Sequence, residues 1–472
     1  MQENQTGAFE RVLDAKLVMS IVATGIMSFS GVCVETAMNV TFPTLMREFS
    51  VDTATVQWMT TAYLLVLAAV VPVSGYLNRR FRTRRVFCVA MAFYVAGIVC
   101  GMTAQVFAAL LLGRVLEGIG TGMALPLMIN IITEQAPLSH LGLMMGIGSL
   151  VTAVAPAVGP SVGGWLAETF GWRAIFAALL PLLLVAFALG IRSIRQSHEV
   201  ARDPFDLPGW ACLATSFACL VFAIDEGTNV GWASPAILGL FAAFAVLLAL
   251  FVMRERTCEQ PLIHLAIFSE RGYVLGLGVI VFMQFSIMGL SFLLPNYAQL
   301  VLGANQFEAG TTLLWGCILG AAMAPVSGRI LDRLGARVPV VGGELCALAA
   351  VTLMGVLAAR FSIALMAGIY VLFALGQGLM YGNNMTCALR FLPADVKPDG
   401  NAMFTTLQQL AGAVGTSVAA AVVNAAQAGA GDEGMAAATA AGTQSALAVL
   451  VATVAVSLAC AVLETRRAAR VR

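Results

Sequence analysis

Three ionisable residues stand inside otherwise apolar stretches and could do chemistry there: Glu35, Arg114 and Glu117. Arg114 and Glu117 lie three positions apart in GRVLEGIGTG (113–122), a spacing that puts both on one face of a helix. Glu35 lies in VETAMNVTFP (34–43). A carboxyl in apolar surroundings can take up and release a proton, and an arginine beside it favours its ionised form. A buried ion pair is no evidence of stability, because desolvation offsets most of the attraction. One reading is therefore that Arg114 holds Glu117 ionised and that protonation of Glu117 releases the pair as the protein changes state. The other is a static structural salt bridge. For Glu35 the readings are proton carrier or cation-binding group, against local pairing.

Other chemistries find few residues. The ten cysteines are scattered singly, without a CxxC pair, and read as small buried hydrophobes. His140, His198 and His264 fall in predicted loops or at helix ends, so no metal site is expected. A phosphate cradle of the form GxxxxGK[ST] needs a lysine after glycine, but Lys16 follows alanine and Lys397 follows valine. That excludes an ATP-driven pump of this type and leaves ion gradients as the power source. No enzyme, cofactor or nucleic-acid partner is expected.

The elements that must position these groups follow from composition. The 472 residues are 60% hydrophobic and 11% charged, against roughly 25% charged in soluble domains, and the mean hydropathy is +0.89. Only a bilayer accepts so much apolar surface as solvent. Apolar stretches of about 20 residues number fourteen, the first near 17–37 and the last near 444–463. The polar N-terminal segment runs directly into the first of them, which reads as an uncleaved helix starting in the cytoplasm. Of the 26 Lys and Arg, Arg47, Arg173 and Arg360 fall in outside loops and Arg114 in a span. The remaining 22 lie in cytoplasmic segments if both termini are inside, as the positive-inside rule requires.

A weak repeat divides the chain. GYLNRRFRTRR (75–85) follows the second span and GRILDRLGAR (328–337) follows the tenth, each a basic turn between the second and third helices of a six-helix half. The expected organisation is a cytoplasmic segment 1–16, a first half 17–191, two linker helices with their loops over 192–257, a second half 258–463 and a tail 464–472. Paired halves with a site between them are the usual architecture of secondary transporters.

Several stretches then resemble the major facilitator superfamily, in particular its fourteen-helix drug:proton antiporter branch. GRILDRLGAR is similar to the signature G-x-L-x-D-R-x-G-R-[KR], with Gly328, Asp332 and Arg333 in place. Gly328 is expected to permit close helix approach, and Asp332 to sit at a helix N-terminus or pair with an arginine across the halves. The first-half copy keeps Gly75 but has Arg79 for the aspartate and Arg82 for the second glycine, so its gate is expected to close differently. Topology anchoring is the plainer role for its five arginines.

VTAVAPAVGPSVGGW (151–165) resembles the fifth-helix motif G-x-x-x-G-P-x-x-G-G, with Ala155 for the first glycine and Gly159, Pro160, Gly163 and Gly164 in place. Small residues at four-residue spacing let backbones approach, and prolines favour a bend, which makes this a pivot and seal or an ordinary packing face. The Arg114 stretch resembles the fourth-helix motif R-x-x-Q-G-x-G, with Glu117 replacing glutamine. VETAMNVTFP is similar to L-D-x-T-I-V-N-V-A-L-P, with Glu35 one place after the expected aspartate. QWMTTAYLL (57–65), WRAIF (172–176), FDLPGW (205–210) and LPNYAQLVLG (294–303) match further phrases of the branch.

Polar residues in other spans, chiefly Asn39, Gln57, Gln284, Glu344, Asn383 and Gln408, are candidates to line a substrate cavity or to act as glue between helices. The resemblance implies an all-α bundle of fourteen membrane helices, arranged 6 + 2 + 6, in a bacterial cell membrane. It implies export of hydrophobic or cationic compounds in exchange for protons. The alternatives are a substrate-specific metabolite transporter of the same fold and a non-transporting sensor. The sequence leaves open whether a periplasmic adaptor takes part.

Overall fold

The computed structural model describes residues 14–137, 141–196, 200, 205–258, 261–393, 396–428 and 434–471. His140, His198 and residues 1–13 lie outside these, as do the side chains of Pro156 and Asp332. The first half comprises α1 (Ala15–Asn39), a short α2 (Phe42–Phe49), α3 (Thr53–Arg80), α4 (Thr83–Thr103), α5 (Phe107–Gln135), α6 (Leu141–Phe170) and α7 (Arg173–Ser193). A hairpin of α8 (Leu207–Val230) and α9 (Pro235–Thr257) follows. The second half comprises α10 (Arg271–Leu300), α11 (Gln306–Leu334), α12 (Arg337–Leu357), α13 (Ile363–Leu389), α14 (Lys397–Gln427) and α15 (Met435–Val471). Among the described residues twelve helices are long and apolar enough to cross a membrane. Helices are the form such segments must take, since lipid offers backbone groups no partner. The short α2 was not foreseen. Its Pro43 near the N-terminus and Arg47 in the last turn give an amphipathic helix where the sequence reads as a loop.

Caps mark where several helices stop. Asp14 accepts from the Leu17 N–H and Asp52 from the Thr55 N–H, while Asn305 and Glu308 form a capping box. The Leu17 hydrogen bond holds the Asp14 carboxyl below the usual carboxylate range, and Arg195, 2.5 Å away, adds to this. The pair ties the start of α1 to the chain leaving α7. We call the end that carries Asp14 the near end. The two basic turns there differ in backbone. Gly335 closes α11 at φ 78°, in the left-handed region that favours glycine. Arg82, its counterpart, sits at φ −60° and ψ 132° after an extended Phe81, a turn any residue can make.

The halves are joined toward the far end. Asn39 on α1 donates to Ser291 on α10 at 3.0 Å, Gln306 donates to Thr44 at 2.7 Å, and Phe42 packs on Phe292. The tightest approach runs through the Gly-Pro motif. A Cβ on Gly163 would lie 2.5 Å from the Ala37 Cβ and 2.9 Å from its Cα, and one on Gly164 would meet the Gln306 backbone. Gly310 meets the Pro160 carbonyl from the other side. So α6 is pressed between α1 of its own half and α11 of the other. At the near end Gly75 and Gly328 do not make the approach expected of Gly328: a Cβ on Gly328 meets nothing described within 4 Å, and Arg79 and Arg333 are exposed. Neither glycine has an opposing backbone within 4 Å among the described residues.

The linker hairpin is asymmetric. Of α9's apolar window 11% is buried, against 78% for α10, so α9 faces lipid and leans on α8. Helix α8 lies along α3 for its whole length and also touches α14. Phe205 packs on Tyr76, the Trp210 indole donates to the Ala69 carbonyl at 2.8 Å, and Phe222 packs on Trp58. At the far end Asp225 accepts from Gln57 at 2.6 Å and from the Trp58 indole at 2.5 Å. Gln57 in turn accepts from Thr61, which contacts Ser417 on α14 at 3.2 Å.

Two stability outcomes follow. Asp225→Ala leaves two donors without an acceptor and should cost about 1–3 kcal/mol, read as a lower Tm of the detergent-purified protein. Gly163→Val should cost about 1–3 kcal/mol through overpacking against α1, whereas Gly328→Ala should leave the Tm unchanged.

Candidate functional site

The opening pair of charges is buried in the first half, enclosed by α1, α3, α4 and α5. Arg114 and Glu117 are both 0% exposed and form a salt bridge within one turn of α5. Small residues on α5 let the neighbouring helices close over it, with Gly118 against the Tyr63 carbonyl on α3 and Gly120 against the Ala90 carbonyl on α4. The Arg114 Nε donates to the Met59 carbonyl at 3.0 Å, and the guanidinium lies over the Tyr63 ring at 4.4 Å. It thus has a backbone acceptor, an aromatic face and a carboxylate. The second guanidinium nitrogen, Nη2, and the second Glu117 oxygen, Oε1, have no hydrogen-bond partner.

Glu35 belongs to the same electrostatic set, because it interacts with the Arg114 guanidinium. It keeps 5% exposure, and no salt bridge holds it among the described residues. Glu35 also interacts across the junction of the halves with Tyr381 on α13, whose hydroxyl donates to Gln284 on α10 at 2.9 Å. Next to Gln284, Gly412 of α14 touches Met288 and Leu64. One arginine is therefore paired with the carboxylate sealed inside the half and lies within electrostatic reach of a second one, Glu35. With all three ionised, the set carries one negative charge in excess. In a medium where an unpaired charge costs about 2.5–3.5 kcal/mol at the bilayer centre, that excess calls for a proton or a cation.

The other candidates separate. Asn39 bridges Ser291 and Thr60, and so lies in the clasp between halves. Gln57 is engaged by Asp225, Thr61 and Ser417 and serves the α3–α8–α14 junction. Asn383 donates to the Ser327 and Leu379 carbonyls, joining α13 to α11. Glu344 is 0% exposed and accepts from Ser457 at 2.8 Å, deep in the second half and away from Glu35. Gln284 stands at the boundary of the halves, and Gln408 is half-buried on α14. Gly159, Pro160, Gly163 and Gly164 form the close contacts described above.

Sequence reasoning missed Tyr63 and Tyr94, which flank the ion pair, and Asp225 and Glu464. Each tyrosine stands about three turns along its helix, with no charged neighbour to mark it. Asp225 and Glu464 lie at the ends of apolar runs, beside Glu226 and Arg466, and look like ordinary boundary charges.

Comparison with known proteins identifies the family and the fold. A Major Facilitator Superfamily model matches residues 24–416. The lincomycin resistance protein LmrB of Listeria monocytogenes is 34% identical over 454 residues, covering 94% of this chain and 95% of that protein. The tetracenomycin C resistance and export protein of Streptomyces glaucescens is 30% identical over 399 residues, covering 84% and 74%. Among solved structures, a bacterial homolog of the human lysosomal transporter Spinster, inward-facing and unoccupied, superposes with a TM-score of 0.69 at 16% identity, over 96% of this chain and 98% of that one. A POT family transporter in complex with a thioalcohol-conjugated peptide gives 0.71 at 14% identity, over 95% and 96%. At such identities these two likenesses speak for the fold alone. The chain is a multi-pass protein of the cell membrane and belongs to the major facilitator superfamily, a family of transporters and not of enzymes.

Proposed function

We propose that this protein exports lipophilic, cationic or amphipathic compounds in exchange for protons, by alternating access between its two six-helix halves. In this reading all fourteen long helices span the bilayer, and both termini and the near end face the cytoplasm. The carrying observation is the shared arginine. Because Arg114 neutralises only one of Glu35 and Glu117 at a time, the site holds either an extra proton or a positively charged cargo. Both together are disfavoured, which is the requirement for exchange. Glu35, at the boundary, is the group a cargo reaches first. Glu117 follows it through Arg114, so that loading at the boundary changes the pairing inside the half.

Further support comes from the close relatives, named for lincomycin resistance and for tetracenomycin C resistance and export. The sequence distribution of Lys and Arg, with 22 of the 26 in cytoplasmic segments when both termini are inside, supports the orientation. The clasp at the far end, with open basic turns at the near end, corresponds to a conformation open to the cytoplasm. The Gly-Pro contacts of α6 with α1 and α11 are the surface on which the halves would rock.

Ethidium in everted membrane vesicles tests the exchange. With an acid interior the native protein should accumulate the dye, and Glu35→Gln should reduce this to the level of membranes lacking the protein. Full accumulation by Glu35→Gln and Glu117→Gln combined would falsify the reading. Glu117→Gln alone restores the residue of the fourth-helix motif and keeps an acceptor for Arg114. It should fold normally but lose the response of dye uptake to the proton gradient. The electrostatic part is separable from transport. Arg114→Leu should cost about 3–5 kcal/mol by stranding buried acids, and the Arg114→Leu, Glu117→Leu double variant should cost less, as measured by apparent Tm.

A further inference from the structure

The second half contains buried acids that this exchange does not use. Glu344 on α12 and Glu464 on α15 are both 0% exposed, and neither has a salt-bridge partner among the described residues. Ser457 donates to Glu344 Oε1 at 2.8 Å and also lies 3.2 Å from the Val279 carbonyl on α10. The second Glu344 oxygen has no hydrogen-bond donor among the described residues, and Glu464 is met by the weak thiol donor of Cys387 on α13. Glu464 lies against the backbone of α10, where a Cβ on Gly276 would come 2.8 Å from its Oε1. The carbonyl of the same Gly276 accepts from Asn384 on α13 at 2.9 Å, and the Oδ1 of Asn384, itself 0% exposed, has no donor.

The spacing along α15 links the two acids. Ser457, Cys460 and Glu464 lie three and four positions apart and share one helix face. Cys460 interacts with both Glu344 and Glu464, and its Sγ would touch a Cβ on Gly278 at 3.4 Å. The remaining titratable neighbour is Cys387, which faces Glu464 from α13. Two residues beyond Glu464, Arg466 and Arg467 are exposed at the near end. A file of polar side chains on one face of α15 therefore runs from Glu464, on the side toward the near end, past Cys460 to Ser457 and Glu344.

Two buried acids with no stronger donors than a hydroxyl and a thiol, and with no cation beside them among the described residues, have a simple resolution. A carboxylic acid is neutral and brings a donor of its own, whereas a carboxylate brings only acceptors. We infer that Glu344 and Glu464 form a second proton-holding site, in the second half, filled and emptied through the α15 file from the near end. It is separate from the Glu35–Arg114–Glu117 set and does not depend on what the protein exports.

Infrared spectroscopy of the full-length protein in lipid nanodiscs, without any cargo, tests this. At neutral pH the native protein should show carboxylic-acid C=O absorption, of which one component is lost in Glu344→Gln and another in Glu464→Gln. Both should shift on transfer to D2O, the Glu464 component first. Ser457→Ala should move the Glu344 component to higher wavenumber without removing it, which serves if a glutamine variant is not recovered folded. Unchanged acid absorption in both glutamine variants, or an unmoved spectrum in Ser457→Ala, would mean that the groups are ionised and would overturn the inference. Components that never shift in D2O would overturn it as well, since sealed acids exchange no protons.

Discussion

The structure depends on one guanidinium placed where water cannot help it. Arg114 cannot discard its proton, so everything around it answers to a fixed positive charge. The Met59 carbonyl, the Tyr63 ring and Glu117 each take part of it. Closing helices over such a group requires α5 to be narrow where it meets α3 and α4, which accounts for the glycines on either side of Glu117. The same charge extends its influence to Glu35, on a helix that is itself pressed against α6. Chemistry and packing thus share α1: the turn from Cys33 to Ala37 that receives Gly159 and Gly163 also bears Glu35.

Much of this was legible beforehand, for reasons that can be named. A charge inside an apolar run is costly, so Glu35, Arg114 and Glu117 stand out without any structure, and a three-residue spacing in a helix fixes that the last two face each other. The lengths of the apolar runs located the helices, because lipid thickness sets them. The Gly-Pro and Gly-Gly spacing announced close backbone contact, though only the structure shows that it serves two helices at once. The arginine in place of glycine at position 82 looked like a defect in the first basic turn. The backbone explains it, since that turn is made in an extended conformation and has no need of glycine.

What was not legible depends on which helix lies beside which. Gln57 looked like a cavity residue, and its actual partner is Asp225, 168 positions away on a linker helix. Glu344 looked like a cavity-lining group, yet it is fully buried against Ser457 of α15, beside the Val279 carbonyl of α10. Glu464 escaped notice because Arg466 and Arg467 follow it and the run reads as a tail. In each case the local sequence is ambiguous between a charge at a water boundary and a charge under a roof of neighbouring helices, and only tertiary packing distinguishes them.

The position of α8 gives the molecule two unlike flanks. Helices α3 and α14 meet under its cover, sealed by Asp225 and the Trp58 indole, whereas α6 and α11 meet with neither linker helix upon them. Lipid therefore borders the α6–α11 seam directly, where bare backbone contact at Gly164 and Gly310 has to do the sealing that a covering helix does on the other flank.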